Sequence, residues 1–162
     1  MCNIIVVELN GRNWCVGMSN KVIHLFRGAE AYHTVYENGT QIPDPWLTDR
    51  GIDQALAIRK AYKFFKKPRL VLVSPSVRCL QTALWAFVAS YDLDPNATLA
   101  HKLRIIAVPE LQEVSNVPCN MGTPLQELRR EFGSDIEFPE ELFDTDEWLT
   151  KRGVYDGETS NV

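Results

Sequence analysis

The chain has 162 residues, a formal net charge of −4 and a pI near 5.4, with 45% hydrophobic and 23% charged residues. That length suits one domain with a real core, and the balance is that of an ordinary soluble globular chain. An acidic chain lacks the basic face that nonspecific nucleic-acid binding needs, and no apolar run is long enough to span a membrane.

The opening Met1-Cys2-Asn3 lacks a basic n-region, and Glu8 interrupts the apolar run that follows, so a secretory leader is not expected. Cys2, Cys15, Cys79 and Cys119 form no CxxC pair and have no histidine at metal-ligand spacing. Free thiols in a reducing, cytoplasmic setting are expected, with no metal and no cofactor; a Cys2–Cys15 bridge across a hairpin is the alternative.

Ile4–Leu9 is an apolar, β-branched run. Asn10-Gly11 is a short-turn signal, and Trp14-Cys15-Val16 has the character of a return strand. Residues 3–18 are therefore expected to form a β-hairpin. Val22–Phe26 is apolar almost throughout, as in a strand covered on both faces. A helix or irregular turn is expected over 29–35 and a loop over 37–46. Thr48 is suited to cap a helix at about 50–65, with Ile52, Leu56 and Phe64 on its apolar face. Leu70–Val73 is the next buried strand. Pro75 suits the first turn of a helix over about 76–90. Arg104–Val108 is a third strand, 111–124 an irregular loop, and Pro124–Phe132 a helix capped by Thr123. The acidic stretch after Gly133 brings Trp148-Leu149 back onto the domain, and the polar end beyond Thr150 is expected to be loose. The alternation predicts an α/β fold: an open, mostly parallel sheet flanked by helices, with an N-terminal hairpin. One domain is expected over 1–162, with the hairpin in 1–20, the core in 22–132 and an acidic segment in 133–162.

Ligands of open α/β sheets bind beyond the carboxyl ends of the strands. Arg27 follows the 22–26 strand, Arg78 the 70–73 strand and Glu113 the 104–108 strand. Two guanidinium forks and a carboxylate converging there would hold a phosphate or carboxylate. Backbone N–H groups after Ser74-Pro75 would add an anion cradle. Taken singly, each arginine reads more readily as a solvated surface charge or a helix salt-bridge partner, and only their joint position at strand ends lifts the functional reading. Tyr32, Tyr36 and Trp46 are candidates for an aromatic wall or for plain core.

Three segments carry a family resemblance. Arg27-Gly28-Ala29-Glu30 resembles the Arg-His-Gly-Glu opening of the histidine phosphatase (phosphoglycerate mutase-like) superfamily. Leu47-Thr48-Asp49-Arg50-Gly51-Ile52-Asp53-Gln54-Ala55 is similar to its Leu-Thr-x-x-Gly-x-x-Gln-Ala. Ser74-Pro75-Ser76-Val77-Arg78-Cys79-Leu80-Gln81-Thr82-Ala83, the most specific, is similar to its Ser-Pro-x-x-Arg-x-x-Gln-Thr-Ala. Leu111-Gln112-Glu113 resembles the segment that supplies a proton donor. Glu30–His33 with Ile42-Pro43-Asp44-Pro45 resembles a fungal-type branch. The likeness covers residues 22 to about 130. It implies a phosphoglycerate mutase-like fold, with Arg27 and Arg78 on the phosphoryl oxygens and Glu113 as general acid.

Departures matter as much. Gly28 stands where the family's phosphorylated histidine belongs. A glycine forms no phosphohistidine. The family's second histidine, in a late Ser-His-Gly-like segment, has no counterpart among His24, His33 and His101, so the chain is expected to stop short of that strand. Such a shortened sheet would expose an edge for the N-terminal hairpin, a second copy or a partner chain to cover. Thr34 takes the place of an asparagine that often follows the first arginine. His24 reads as structural, His33 as close to the crevice mouth, His101 as lying at the far end of the sheet, and Cys79 as packing.

Three readings follow. One is a member without phosphohistidine chemistry, a small-anion-binding or interaction module with Gly28, Glu30 and His33 in its pocket. The second reuses the pocket for acid–base chemistry of an isomerase, dehydratase or cyclase type, through Glu113 or Glu30. The third takes Gly28 as a substitution introduced into a phosphatase fragment.

Overall fold

The computed structural model describes residues 3–9, 21–62, 69–88 and 103–155. Four strands form one sheet in the order β2-β1-β3-β4. β1 (Asn3–Leu9) runs antiparallel to both β2 (Lys21–Arg27) and β3 (Leu70–Val73), and β4 (Arg104–Ala107) runs parallel to β3. β2, β3 and β4 therefore point the same way, and β1 alone is reversed. The α/β class stands, with a mixed sheet.

The hairpin expected over residues 3–18 has its first strand in β1. Ile4–Val7 pair with β2 on one side and β3 on the other, and the return strand is expected over residues 14–16. Those residues, with Cys2 and Cys15, lie outside the described residues. β-Branched side chains suit such a central strand. Ile4 and Val6 are fully buried, while Ile5 and Val7 face the other side and are half-buried. Reversal also brings the start of β1 to the carboxyl ends of its neighbours. Asn3 lies opposite Arg27, and Ser74 N–H donates to the Asn3 carbonyl at 3.3 Å.

β2 was expected to be covered on both faces. It is instead an edge strand, with Ile23 62% and Leu25 73% exposed. Its other face carries Phe26, which packs edge-on against Phe87 at 5.7 Å, and His24, half-buried and stacked on Phe26.

α1 (Asp49–Tyr62) begins where Thr48 Oγ1 accepts the Gly51 N–H at 3.0 Å, the expected cap. Gly51 is required there, because a Cβ would lie 2.0 Å from the Glu30 carbonyl oxygen. α2 (Val77–Phe87) starts later than expected, with Ser76 at the cap position and Pro75 before it. Thr123 does not cap α3 (Leu125–Phe132) with its hydroxyl, which is drawn away to Asp44.

One core forms on the face of Ile4, Val6, Val71, Val73, Ile105 and Ala107. Leu80, Ala83 and Phe87 of α2 pack there, with Leu128 and Phe132 of α3. Phe143 and Trp148, the latter in the short α4 (Glu147–Thr150), close it from the C-terminal side, edge to face at 5.3 Å. Buried aromatics thus bring the acidic segment back onto the domain, as expected for Trp148. Gln112 donates to the Trp148 carbonyl at 3.0 Å, and buried Lys151 donates to Gln112 Oε1. The loop bearing Glu113 is tied to the C-terminal segment by these bonds. No helix among the described residues is long and apolar enough to cross a membrane.

Candidate functional site

A crevice of about 580 Å³ opens at the carboxyl ends of β2 and β3. Each proposed site residue lines it: Arg27, Gly28, Glu30, His33, Thr34, Arg78 and Glu113. They converge because β2 and β3 run in the same direction, and β4 leads into the loop that brings Glu113. His101 lies outside the described residues. Trp46, Tyr32 and Tyr36 do not line the crevice; the two tyrosines are exposed and stack on each other at 5.6 Å.

The two arginines differ. Arg78 sits in the first turn of α2 and is 5% exposed. Its guanidinium donates to the Cys119 carbonyl at 2.8 Å and to Asn120 Oδ1 at 3.0 Å, while Asn120 Nδ2 donates to Ser115 Oγ at 2.7 Å. This fork is held in place. Arg27, at the end of β2, is exposed. It has no carboxylate partner within 4 Å among the described residues.

His33 is half-buried in a 3₁₀ turn (Tyr32–Thr34), and its Nδ1 is buried with no hydrogen-bond partner among the described residues. Burial lowers its pKa below the usual 6.5, the nearby positive charges of Arg78 and Arg27 lower it further, and Glu113 opposes them. A neutral imidazole beside two guanidiniums results. The Thr34 hydroxyl donates to the Ala31 carbonyl at 2.8 Å, so its proton is directed at the turn rather than into the crevice.

Glu30 is anchored. Thr48 Oγ1 donates to its Oε1 at 2.8 Å, Arg50 approaches its Oε2 at 3.4 Å, and its N–H donates to Gln54 Oε1 at 2.9 Å. Ala29 N–H donates to Thr82 Oγ1 at 3.0 Å. Gln54 and Thr82 belong to the quoted motifs, where their residue types gave no role; they fix the backbone around position 28. Cys119 and Asn120 also line the crevice, and nothing in their irregular loop marked them beforehand.

Behind the crevice sits Asp44, 5% exposed. Its Oδ1 accepts the Val77 N–H at 2.9 Å, and its Oδ2 accepts the Thr123 N–H at 3.0 Å and hydroxyl at 2.8 Å. Desolvation nevertheless dominates and raises its pKa to about 6, against those bonds and the charge of Arg78.

Position 28 faces the crevice and has one close neighbour on the side a Cβ would take. A Cβ on Gly28 would lie 3.0 Å from Cys79 Sγ, and Cys79 is fully buried. Among the described residues, no group of three or more His, Cys, Asp or Glu is placed to hold a metal ion.

Residues 23–146 match the family model of the histidine phosphatase superfamily (branch 1). A probable phosphatase of Schizosaccharomyces pombe is 32% identical over 115 residues, which cover 70% of this chain and 50% of that protein. The chain spans about half the length of that curated relative. No solved structure matches it.

Proposed function

The chain belongs to the histidine phosphatase superfamily, and on that premise we propose that its crevice binds a small phosphate-like oxyanion without forming a phosphohistidine. The observation that carries this reading is the pairing of Arg27 and Arg78 in one crevice with a glycine at position 28. Arg78, held by Cys119 and Asn120, supplies a pre-oriented fork for two oxygens. Arg27 approaches from the strand end. His33 contributes a neutral N–H donor, which an anion accepts without a further charge having to be buried. With no side chain at position 28, no covalent step is available there.

A second reading is favoured by one feature, a neutral imidazole in the same crevice as the Glu113 carboxylate. That pair would move a proton on a bound carboxylate or carbonyl substrate.

Calorimetry with sulfate and tungstate, beside a panel of phosphate esters, tests the first reading. Saturable anion binding that Arg78→Ala abolishes, with no phosphate release above background, is expected. Ester hydrolysis by the unaltered chain that Arg78→Ala abolishes would overturn it. Turnover of a carboxylate substrate that persists with Gly28 in place and vanishes in Glu113→Gln would establish the second reading.

A further inference from the structure

A second concavity, of about 320 Å³, opens between α2 and α3 and shares no residue with the anion crevice. Its walls are Trp46, Trp85 and Phe132, and Leu84 and Val88 of the α2 end contribute further apolar surface. The two tryptophans are 48% and 41% exposed, a large apolar area to leave in water. Trp46 and Phe132 lie with ring centroids 6.4 Å apart and planes tilted by 39°, so they form an angled wall rather than a stack. The position of Trp46 is fixed from behind, since Gln81 Oε1 accepts the N–H of neighbouring Leu47 at 2.8 Å.

Charge completes the description. Glu131 and Asp135 line the groove, and no lysine, arginine or histidine among the described residues does. The hydroxyl of Ser134 donates to Asp135 at 2.7 Å, and neither carboxylate has a cationic partner within 4 Å among the described residues. An apolar ligand would use the rings and leave two negative charges unanswered. An anion would be repelled. Aromatic faces attract cations through their quadrupole, most strongly at tryptophan and for a cation that is weakly hydrated.

We propose that this groove binds a small organic cation of the quaternary ammonium class, its methyl groups against Trp46, Trp85 and Phe132 and its charge facing Glu131 and Asp135. A quaternary ammonium fits better than a primary one because it gives up little hydration on entry and presents an apolar surface to the rings. The site is independent of the anion crevice and of the reading given to it.

Titration of the full chain with choline, followed through the indole N–H signals of Trp46 and Trp85, tests this. Saturable shifts confined to those two indoles are expected. The uncharged isostere 3,3-dimethylbutan-1-ol should bind about tenfold more weakly. Trp85→Leu should weaken choline binding about fivefold or more, and Glu131→Gln with Asp135→Asn about threefold. All three changes are at exposed positions, and the charge pair reports even if the tryptophan variant folds poorly. Equal binding of choline and its isostere would reduce the site to a plain apolar groove and overturn the proposal. So would the absence of any shift at millimolar choline, or tighter binding of an oligolysine peptide, which would make the occupant a basic segment of another protein.

Discussion

Two places in this molecule set donors around a point where negative charge sits or, on the proposed reading, would bind, and they are built differently. Asp44 is an anion the chain supplies to itself. It is enclosed and accepts three hydrogen bonds from Val77 and Thr123. The crevice between Arg27 and Arg78 would, on the proposed reading, take its anion from outside. At Asp44 the cost of desolvation exceeds what the bonds return, and the carboxyl titrates at about 6. In the crevice Arg27 is exposed, and Arg78 is held by the Cys119 carbonyl and Asn120 Oδ1. The contrast teaches that the enclosed site holds chain segments together, while the open one, on the proposed reading, would keep its charge available for a ligand. Each part of that contrast can be broken by a variant.

Removing the enclosed anion should have the largest effect. Asp44→Ala leaves the Val77 and Thr123 N–H groups without their acceptor and should cost roughly 2–4 kcal/mol in urea unfolding. A loss under about 0.5 kcal/mol would mean that Asp44 is not a clamp. Next is the open site. Arg27→Ala should lower sulfate affinity on the order of tenfold, equivalent to about 1.4 kcal/mol, while changing stability by less than about 0.5 kcal/mol, because the side chain is exposed. Equal losses in binding and stability would erase the distinction between the two sites.

The same contrast has a pH signature. The folded pKa of Asp44 is raised from 3.8 to about 6, so the folded state binds its proton more tightly than the unfolded chain does. Its contribution to stability is fully present below pH 3.8 and is lost as the pH rises through 6. Comparing the chain with Asp44→Asn isolates this group. Relative to the variant, the parent should gain roughly 1–1.5 kcal/mol between pH 7.5 and pH 5. His33 runs the other way: its lowered folded pKa favours the neutral ring, so its effect is absent above pH 6.5 and destabilises the fold as the pH falls below it. A bound anion offsets the two guanidiniums and raises that pKa. Sulfate, a dianion throughout, should therefore bind a few-fold more tightly at pH 5.5 than at pH 7.5, and His33→Asn should flatten the trend.

Local signals made much of this legible. Leu70–Val73 and Arg104–Ala107 are short apolar runs bounded by turn residues, and Thr48 precedes a periodic helix, so their strands and cap were readable. Pairing was not. That β1 lies between β2 and β3, antiparallel to both, depends on contacts that alternation does not encode. Asp44 was visible only as part of a branch-like Ile-Pro-Asp-Pro, since its partners lie 33 and 79 residues away. Thr123 was read as a cap from its place before a helix, and a buried carboxylate across the molecule attracted its hydroxyl instead. The crevice residues were readable because strand ends and motif spacing placed them together. Cys119 and Asn120, which hold Arg78, carry no such signature.

Position 28 gives the smallest effect and shows most directly what side chain it can carry. An alanine there narrows the freedom of the unfolded chain, which favours folding by roughly 0.4–1 kcal/mol. Its Cβ would also lie 3.0 Å from Cys79 Sγ, tight enough that the sulfur must move by a few tenths of an ångström. In a buried, close-packed core such movement costs a similar amount, so Gly28→Ala alone should change stability by less than about 1 kcal/mol. Cys79→Ala removes the obstructing atom. A double-mutant cycle should then show coupling of about 0.5–1 kcal/mol, with Gly28→Ala more favourable when the sulfur is gone. Additive effects would mean that Cys79 does not limit what position 28 can carry. Coupling would mean that an imidazole introduced by Gly28→His meets the same sulfur, so that it has to be introduced together with a smaller residue at position 79.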